Sequence, residues 1–118
     1  MSMNQEIVIN LETLKDVTIF RMDGDLTTVS EPFLNEAYEN ADGQGAEKIL
    51  LSFSEDAYIN SGGIALLIQL LARTSQKNQL VAITGLSAHF QKIFKMVGIH
   101  KFASIYSSVD EAIQKMSE

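Results

Sequence analysis

The chain of 118 residues has no cysteine, no tryptophan, one proline and two histidines. Without cysteine there is no disulfide framework, no thiolate nucleophile and no thiolate metal site. His89 and His100 stand at no metal-ligand spacing with each other or with an acid. Long apolar runs are missing too. The longest, Ile64 to Ile68, is far short of the roughly 20 apolar residues a bilayer span needs, and the first ten residues hold no basic leader segment. The expectation is a cytoplasmic protein with no membrane partner. Positive charge is scarce: 9 Lys and Arg face 15 Asp and Glu, for a net −6. A binder that tracks phosphates needs clustered basic residues, so nucleic acid is not an expected partner.

Signatures of catalysis and cofactor binding are also absent. Gly43-Gln44-Gly45 lacks the third glycine of a dinucleotide loop and follows a helical pattern where a strand is required. No phosphate-binding loop with a lysine occurs. Ser61 is not centred in a nucleophile elbow, because Ile59 stands where that motif needs glycine. The sequence therefore predicts no enzyme, no cofactor and no metal.

What is present is an ordinary globular mixture, 46% hydrophobic and 20% charged, sized for one domain spanning residues 1–118. Its charge is unevenly placed. Residues 1–59 carry 3 basic and 12 acidic side chains, a net −9; residues 60–118 carry 6 basic and 3 acidic, a net +3. This is either scatter over a solvated surface or one acidic and one mildly basic face able to steer a partner.

Ile7–Leu11 and Val17–Met22 read as a strand hairpin, with Gly24 ending the second strand. Ser30, before Glu31-Pro32, reads as the cap of a helix over about residues 31–40, closed by the Asp42–Gly45 loop. Lys48–Phe53 is a buried strand, Ser61 to about Gln76 a helix, and Leu80–Thr84 another strand. A helix capped near Ser87 runs to Val97 and stops at Gly98; Phe102–Tyr106 is a short last strand, and Ser108 caps a final helix. The order β-β-α-β-α-β-α-β-α predicts an α/β fold, antiparallel in the first hairpin and otherwise largely parallel.

The informative segment is Ile59-Asn60-Ser61-Gly62-Gly63-Ile64, which brings Asn60 and Ser61 to the start of a helix and follows them with two glycines. A glycine costs about 1 kcal/mol relative to alanine inside a helix and less in a first turn, so something offsets that cost. One reading makes Asn60 or Ser61 a plain N-cap and the glycines clearance for close packing. The other makes them bare backbone through which a second protein reaches the Ser61 hydroxyl. A phosphate there would meet the positive end of the helix dipole and need not unfold the helix. At 100° per residue, Ile64, Leu67, Ile68, Leu71 and Ser75 share the face expected to pack on the sheet. Leu66, Gln69, Leu70 and Arg73 fall opposite, and the two leucines are either covered by a neighbouring helix or exposed as a docking patch. In the next helix Phe90, Ile93, Phe94 and Val97 face inward, while His89, Lys92 and Met96 face out and extend that patch.

These residues carry a resemblance. The chain resembles the STAS domain family, especially the stand-alone anti-sigma factor antagonists of bacteria. The matching segments are Gly24-Asp25-Leu26, Lys48–Phe53, Ile59–Ile64, Leu80–Thr84 with Gly85-Leu86-Ser87, and Val109-Asp110-Glu111-Ala112. The resemblance implies a mixed sheet with helices packed on one side and no enzymatic activity. It also implies a partner, an anti-sigma factor that is a serine kinase of the histidine-kinase-like ATPase type, together with a serine phosphatase that resets the cycle. The family's phosphoserine maps onto Ser61, and Asp25, Thr27, Asn60, Gly62, Gly63, Leu66, Leu70 and Arg73 are the expected partner-binding residues. The expected assembly is a monomer or weak dimer.

Three positions depart from the family pattern: Asn60 and Ser52 stand where acids are usual, and Thr27 stands where aspartate follows the Gly-acid-Leu turn. They motivate a second reading, a non-phosphorylated scaffold or adaptor in another bacterial signalling complex. A third, a small-ligand or nucleotide binder, is motivated by Asp25, Ser52, Asn60 and Ser61 gathered at strand ends.

Overall fold

The computed structural model describes residues 6–117, so the ends of the expected 1–118 domain lie outside the described residues. Strands β1 (Val8–Leu14) and β2 (Val17–Asp23) form an antiparallel hairpin, with Leu14 opposite Val17 and Val8 opposite Asp23. Strands β3 (Lys48–Phe53), β4 (Leu80–Thr84) and β5 (Ser104–Ile105) add in parallel, giving one sheet in the order β1-β2-β3-β4-β5. Helices α1 (Glu31–Gly43), α2 (Ser61–Gln76), α3 (Ala88–Met96) and α4 (Val109–Met116) fill the crossovers and the end. The α/β class and mixed sheet follow the sequence pattern.

Side chains alternate across each strand. Phe20, Ile49, Leu51 and Ile83 turn to one face and pack with Tyr38, Leu67 and Phe94 from α1, α2 and α3. Val17, Ile19, Leu50 and Ala82 turn to the other, where Ala112, Ile113 and Met116 of α4 cover them. The expectation of helices on one side therefore holds for three helices and is corrected for α4. The reason is in the central strands, which are apolar on both faces and leave the second face in need of a cover.

Several boundaries differ from the expected ones. Strand β1 continues beyond Leu11 because the hairpin pairs as far as Leu14 opposite Val17, and β5 is Ser104–Ile105 instead of Phe102–Tyr106 because only these two residues lie opposite β4. Helix α1 runs past residue 40 because Gly43 keeps helical geometry; Gln44 caps the end and Gly45, at φ +84°, turns the chain away. Ser30 does not cap α1 with its side chain. It closes a 3-10 turn (Thr28–Ser30), and its hydroxyl accepts from the Thr27 amide at 3.0 Å and donates to the Asp25 carbonyl at 3.2 Å. Val97 is not an inward residue: α3 ends before it, and it is 46% exposed. Gly98, at φ +85°, instead swings Ile99 into the core through a second 3-10 turn (Ile99–Lys101). Among the described residues, no helix is long and apolar enough to cross a membrane.

Candidate functional site

The site is built where the chain leaves β2 and where it enters α2. These segments pair as a short parallel bridge between Leu26 and Ile59. The Leu26 amide donates to the Tyr58 carbonyl at 2.9 Å, and the Asn60 amide donates to the Leu26 carbonyl at 3.2 Å. Both apolar side chains of the bridge are buried, so the loops are anchored to the core.

Asn60 is the N-cap of α2. Its side-chain oxygen accepts from the Gly63 amide at 2.9 Å, and its carbonyl accepts from the Ile64 amide at 2.9 Å. Ser61, the first helical residue, is exposed. Its amide and that of Gly62 find no protein acceptor among the described residues, leaving donors at the positive end of the helix dipole.

The two glycines have a structural reason. A methyl group on Gly63 would collide with the Leu26 carbonyl, and one on Gly62 with the Thr28 hydroxyl. Of the two readings of this pair, close packing against residues 26–28 is the one the geometry carries. Asp25 and Thr27 are half-buried in the same loop, so Asp25, Thr27, Asn60, Ser61, Gly62 and Gly63 are brought together.

The other expected contact residues are not. Leu66 and Leu70 are 8% and 4% exposed and belong to the main core, so the apolar patch expected from them is corrected. The buried face of α2 is Gly63, Leu66, Leu67, Leu70, Leu71 and Thr74, whereas Ile68 and Ser75 face out. Gly63, packed on the Leu26 carbonyl, lies on this buried face. Arg73 lies twelve residues along α2 from Ser61, about 18 Å at 1.5 Å per residue. There its guanidinium sits over the Tyr38 ring, 4.5 Å from the centroid, and its Nη1 donates to Asn35 at 3.4 Å. Arg73 ties α2 to α1 and stands away from the Ser61 end.

The polar set considered for a small ligand also divides. Ser52 alternates with Leu51 and Phe53 on β3 and so points to the α4 face, while Asn60 caps a helix on the opposite face. A cavity of about 210 Å³ does include Asp25, Thr27, Ser30 and Phe33, but neither Ser52 nor Ser61 lines it. Among the described residues, no group of His, Asp and Glu is placed to hold a metal ion.

Sequence reasoning missed the apolar surface that does flank Ser61. Val29 is 71% exposed in the turn that begins at Thr28, the residue touching Gly62. Tyr58 is 55% exposed and makes a T-shaped contact with Phe90 at the start of α3, with ring centroids 6.4 Å apart. A signal existed for Tyr58: in an extended segment the neighbour of a buried Ile59 points outward.

A five-stranded mixed sheet with α2 launched from a glycine-packed loop defines a class of small α/β domain. The STAS domain model matches residues 8–112, and the chain belongs to the STAS domain family. Solved structures agree in fold. An anti-sigma factor antagonist from Mycobacterium paratuberculosis is 17% identical, with 96% of each chain covered and a TM-score of 0.79. A putative anti-sigma factor antagonist from Thermotoga maritima is 16% identical over 93% of this chain and 95% of that one, with a TM-score of 0.78. The Bacillus cell fate determinant SpoIIAA, in its phosphorylated form, is 18% identical over 92% and 99%, with a TM-score of 0.67. At these identities the likeness is one of fold. A search of curated protein sequences finds no match.

Proposed function

We propose that the protein is a non-enzymatic anti-sigma factor antagonist whose partner is an anti-sigma factor of the serine-kinase type. Phosphorylation of Ser61 switches it off, and a serine phosphatase restores it. The observation that carries this reading is the exposed Ser61 hydroxyl on the first residue of α2, in a frame held by the Leu26–Ile59 bridge and the Asn60 cap. Support comes from the family and from structural neighbours that are anti-sigma factor antagonists, among them SpoIIAA, which is also known in a phosphorylated form.

In this reading the switch acts on the contact surface and not on the helix. Ser61 precedes the part of α2 that packs on the sheet, and the Gly63 amide is already taken by Asn60. A phosphate on Ser61 adds about two negative charges beside the free Ser61 and Gly62 amides, so the helix end tolerates it. The contact surface changes instead. A partner seated on Val29, Thr27 and Tyr58 meets a charged, hydrated group where a small hydroxyl stood, and releases.

Incubation with an anti-sigma factor kinase and ATP, followed by intact-mass measurement, tests the reading. One added phosphate, lost in Ser61→Ala, is expected. A stable complex with no phosphate transferred would instead favour the constitutive adaptor, the reading that Asn60, Ser52 and Thr27 in place of acids keep in view.

A further inference from the structure

The chain holds no aspartate or glutamate between Asp56 and Asp110, although its net charge is −6. That stretch contains α2, β4, α3 and β5, and its basic residues are Arg73, Lys77, Lys92, Lys95 and Lys101. Two of these are engaged: Arg73 stacks on Tyr38, and Lys77 pairs with Asp42 of α1. Lys92, Lys95 and Lys101 pair with no carboxylate among the described residues.

The same part of the molecule carries an apolar groove of about 150 Å³ between the middle of α2 and the segment Val97–Phe102. Ile68 and Val97, each 46% exposed, and Phe102, 63% exposed, line it, and Met96 beside it is 82% exposed. The floor is Leu71, Gly98 and Ile99. Lys95 directly precedes Met96, Lys101 directly precedes Phe102, and Lys92, Lys95 and Lys101 are all exposed, so basic residues adjoin the apolar strip along the chain. Ile68 and Ala72 are seven and eleven residues beyond Ser61, about 10.5 and 16.5 Å along the helix axis. The groove is thus separate from the Ser61 end.

We infer that this groove is a second docking surface, and that its occupant is an acidic amphipathic segment of a partner protein. The apolar side chains of that segment fill the slot, and its carboxylates meet Lys92, Lys95 and Lys101. The charge argument selects the occupant. An acid-free lobe with three unpaired lysines repels a basic segment and leaves a neutral apolar one without partners for its ammonium groups. The concave slot suits protruding side chains presented at helical spacing.

The test is an NMR titration of the full ¹⁵N-labelled chain with a synthetic helical peptide bearing Leu and Phe on one face and Glu elsewhere. A scrambled peptide of equal composition is the control. Saturable shifts at Ile68, Ala72 and Val97–Phe102 are expected, with the Ser61 and Gly62 amides unmoved. Binding is expected to weaken about tenfold in Lys95→Glu/Lys101→Glu and in Phe102→Ser, and to weaken with added salt. Both variants alter exposed side chains, and the lysine pair keeps the test intact if Phe102→Ser lowers the melting temperature. Equal binding of the scrambled peptide, or shifts centred on Ser61, overturns the inference. So does co-sedimentation with phosphatidylglycerol vesicles that Phe102→Ser abolishes, which assigns the strip to a membrane. A concentration-dependent dimer that Phe102→Ser dissolves overturns it as well, in favour of a second copy of the chain.

Discussion

At Gly63 the backbone of α2 lies against the carbonyl of Leu26, leaving no space for a side chain. Gly63→Ala is therefore expected to lower stability by about 1–3 kcal/mol, as overpacking does, although alanine is the better helix former. Thermal unfolding reads this directly; an unchanged or raised melting temperature would contradict the packing. Ser61, two residues earlier, has the opposite character. Ser61→Asp is expected to leave the circular dichroism spectrum and melting temperature nearly unchanged while weakening association with the proposed anti-sigma factor partner. Calorimetric titration of both forms against that partner checks it, and equal affinities would remove the switch. The cap residue lies between these extremes, since Asn60→Ala leaves the Gly63 amide without its acceptor and is expected to cost about 1 kcal/mol.

Elements are tied together by a few exposed polar contacts over a large apolar contact. Lys77, which caps the C-terminal end of α2, pairs with Asp42 of α1, and Gln79 donates to the other Asp42 oxygen at 3.0 Å while accepting from the Tyr38 hydroxyl at 2.6 Å. The hydrogen bond from Lys77 holds the Asp42 carboxyl below the usual carboxylate range, as the bond from Lys48 does for Asp16. Groups with a depressed folded pKa stabilise the native state above their unfolded pKa, near 4, and lose that contribution as pH falls through the lower folded value. The melting temperature of the native chain is thus expected to fall more steeply below about pH 4 than that of Asp42→Asn, and high salt should narrow the gap because these groups are exposed. The apolar side of the α2 contact is larger. Leu70→Ala is expected to destabilise by about 2–5 kcal/mol, the range for a buried leucine, whereas a surface leucine would cost almost nothing. Chemical denaturation distinguishes the two.

The molecule as a whole is a sheet with unequal covers, three helices on one face and α4 alone on the other. Ile113 of α4 is 5% exposed against that second face. Ile113→Asp places a charge there, and α4 is expected to undock, exposing Val17, Ile19 and Leu50, with a rise in dye binding to apolar surface and a lower melting temperature. The hairpin tip adds a tether on the same side, where Asp16 accepts from Lys48 at 2.7 Å and from Ser117 at 3.3 Å.

Strand positions and most helix ends were legible in the sequence because they rest on local chemistry. Lys48–Phe53 and Leu80–Thr84 are short apolar runs between polar loops, and Asn60, Ser87 and Ser108 each cap a helix by bonding an amide three residues on. The place of Ser61 at the start of α2 was legible for the same reason, as the residue after a cap and before two glycines. The face of α2 was not. From Ile64 to Leu71 only Gln69 is polar, so a rotation of the helix changes the apolar pattern little, and the burial of Leu66 and Leu70 instead of Ile68 depends on where Gly63 meets Leu26. The same holds for Arg73, whose stacking on Tyr38 joins residues far apart in the chain.

By itself the sequence determined the class of fold, the order of its elements, the capped start of α2 and the acid-free stretch from residue 57 to 109, because periodicity, capping and charge are properties of neighbours along the chain. Only the tertiary structure decided which faces are covered. It placed α4 on the second face of the sheet, hid Leu66 and Leu70, and left Val29, Tyr58 and Phe102 at the surface. Those outcomes follow from close packing between distant segments, such as the Leu26 carbonyl against Gly63.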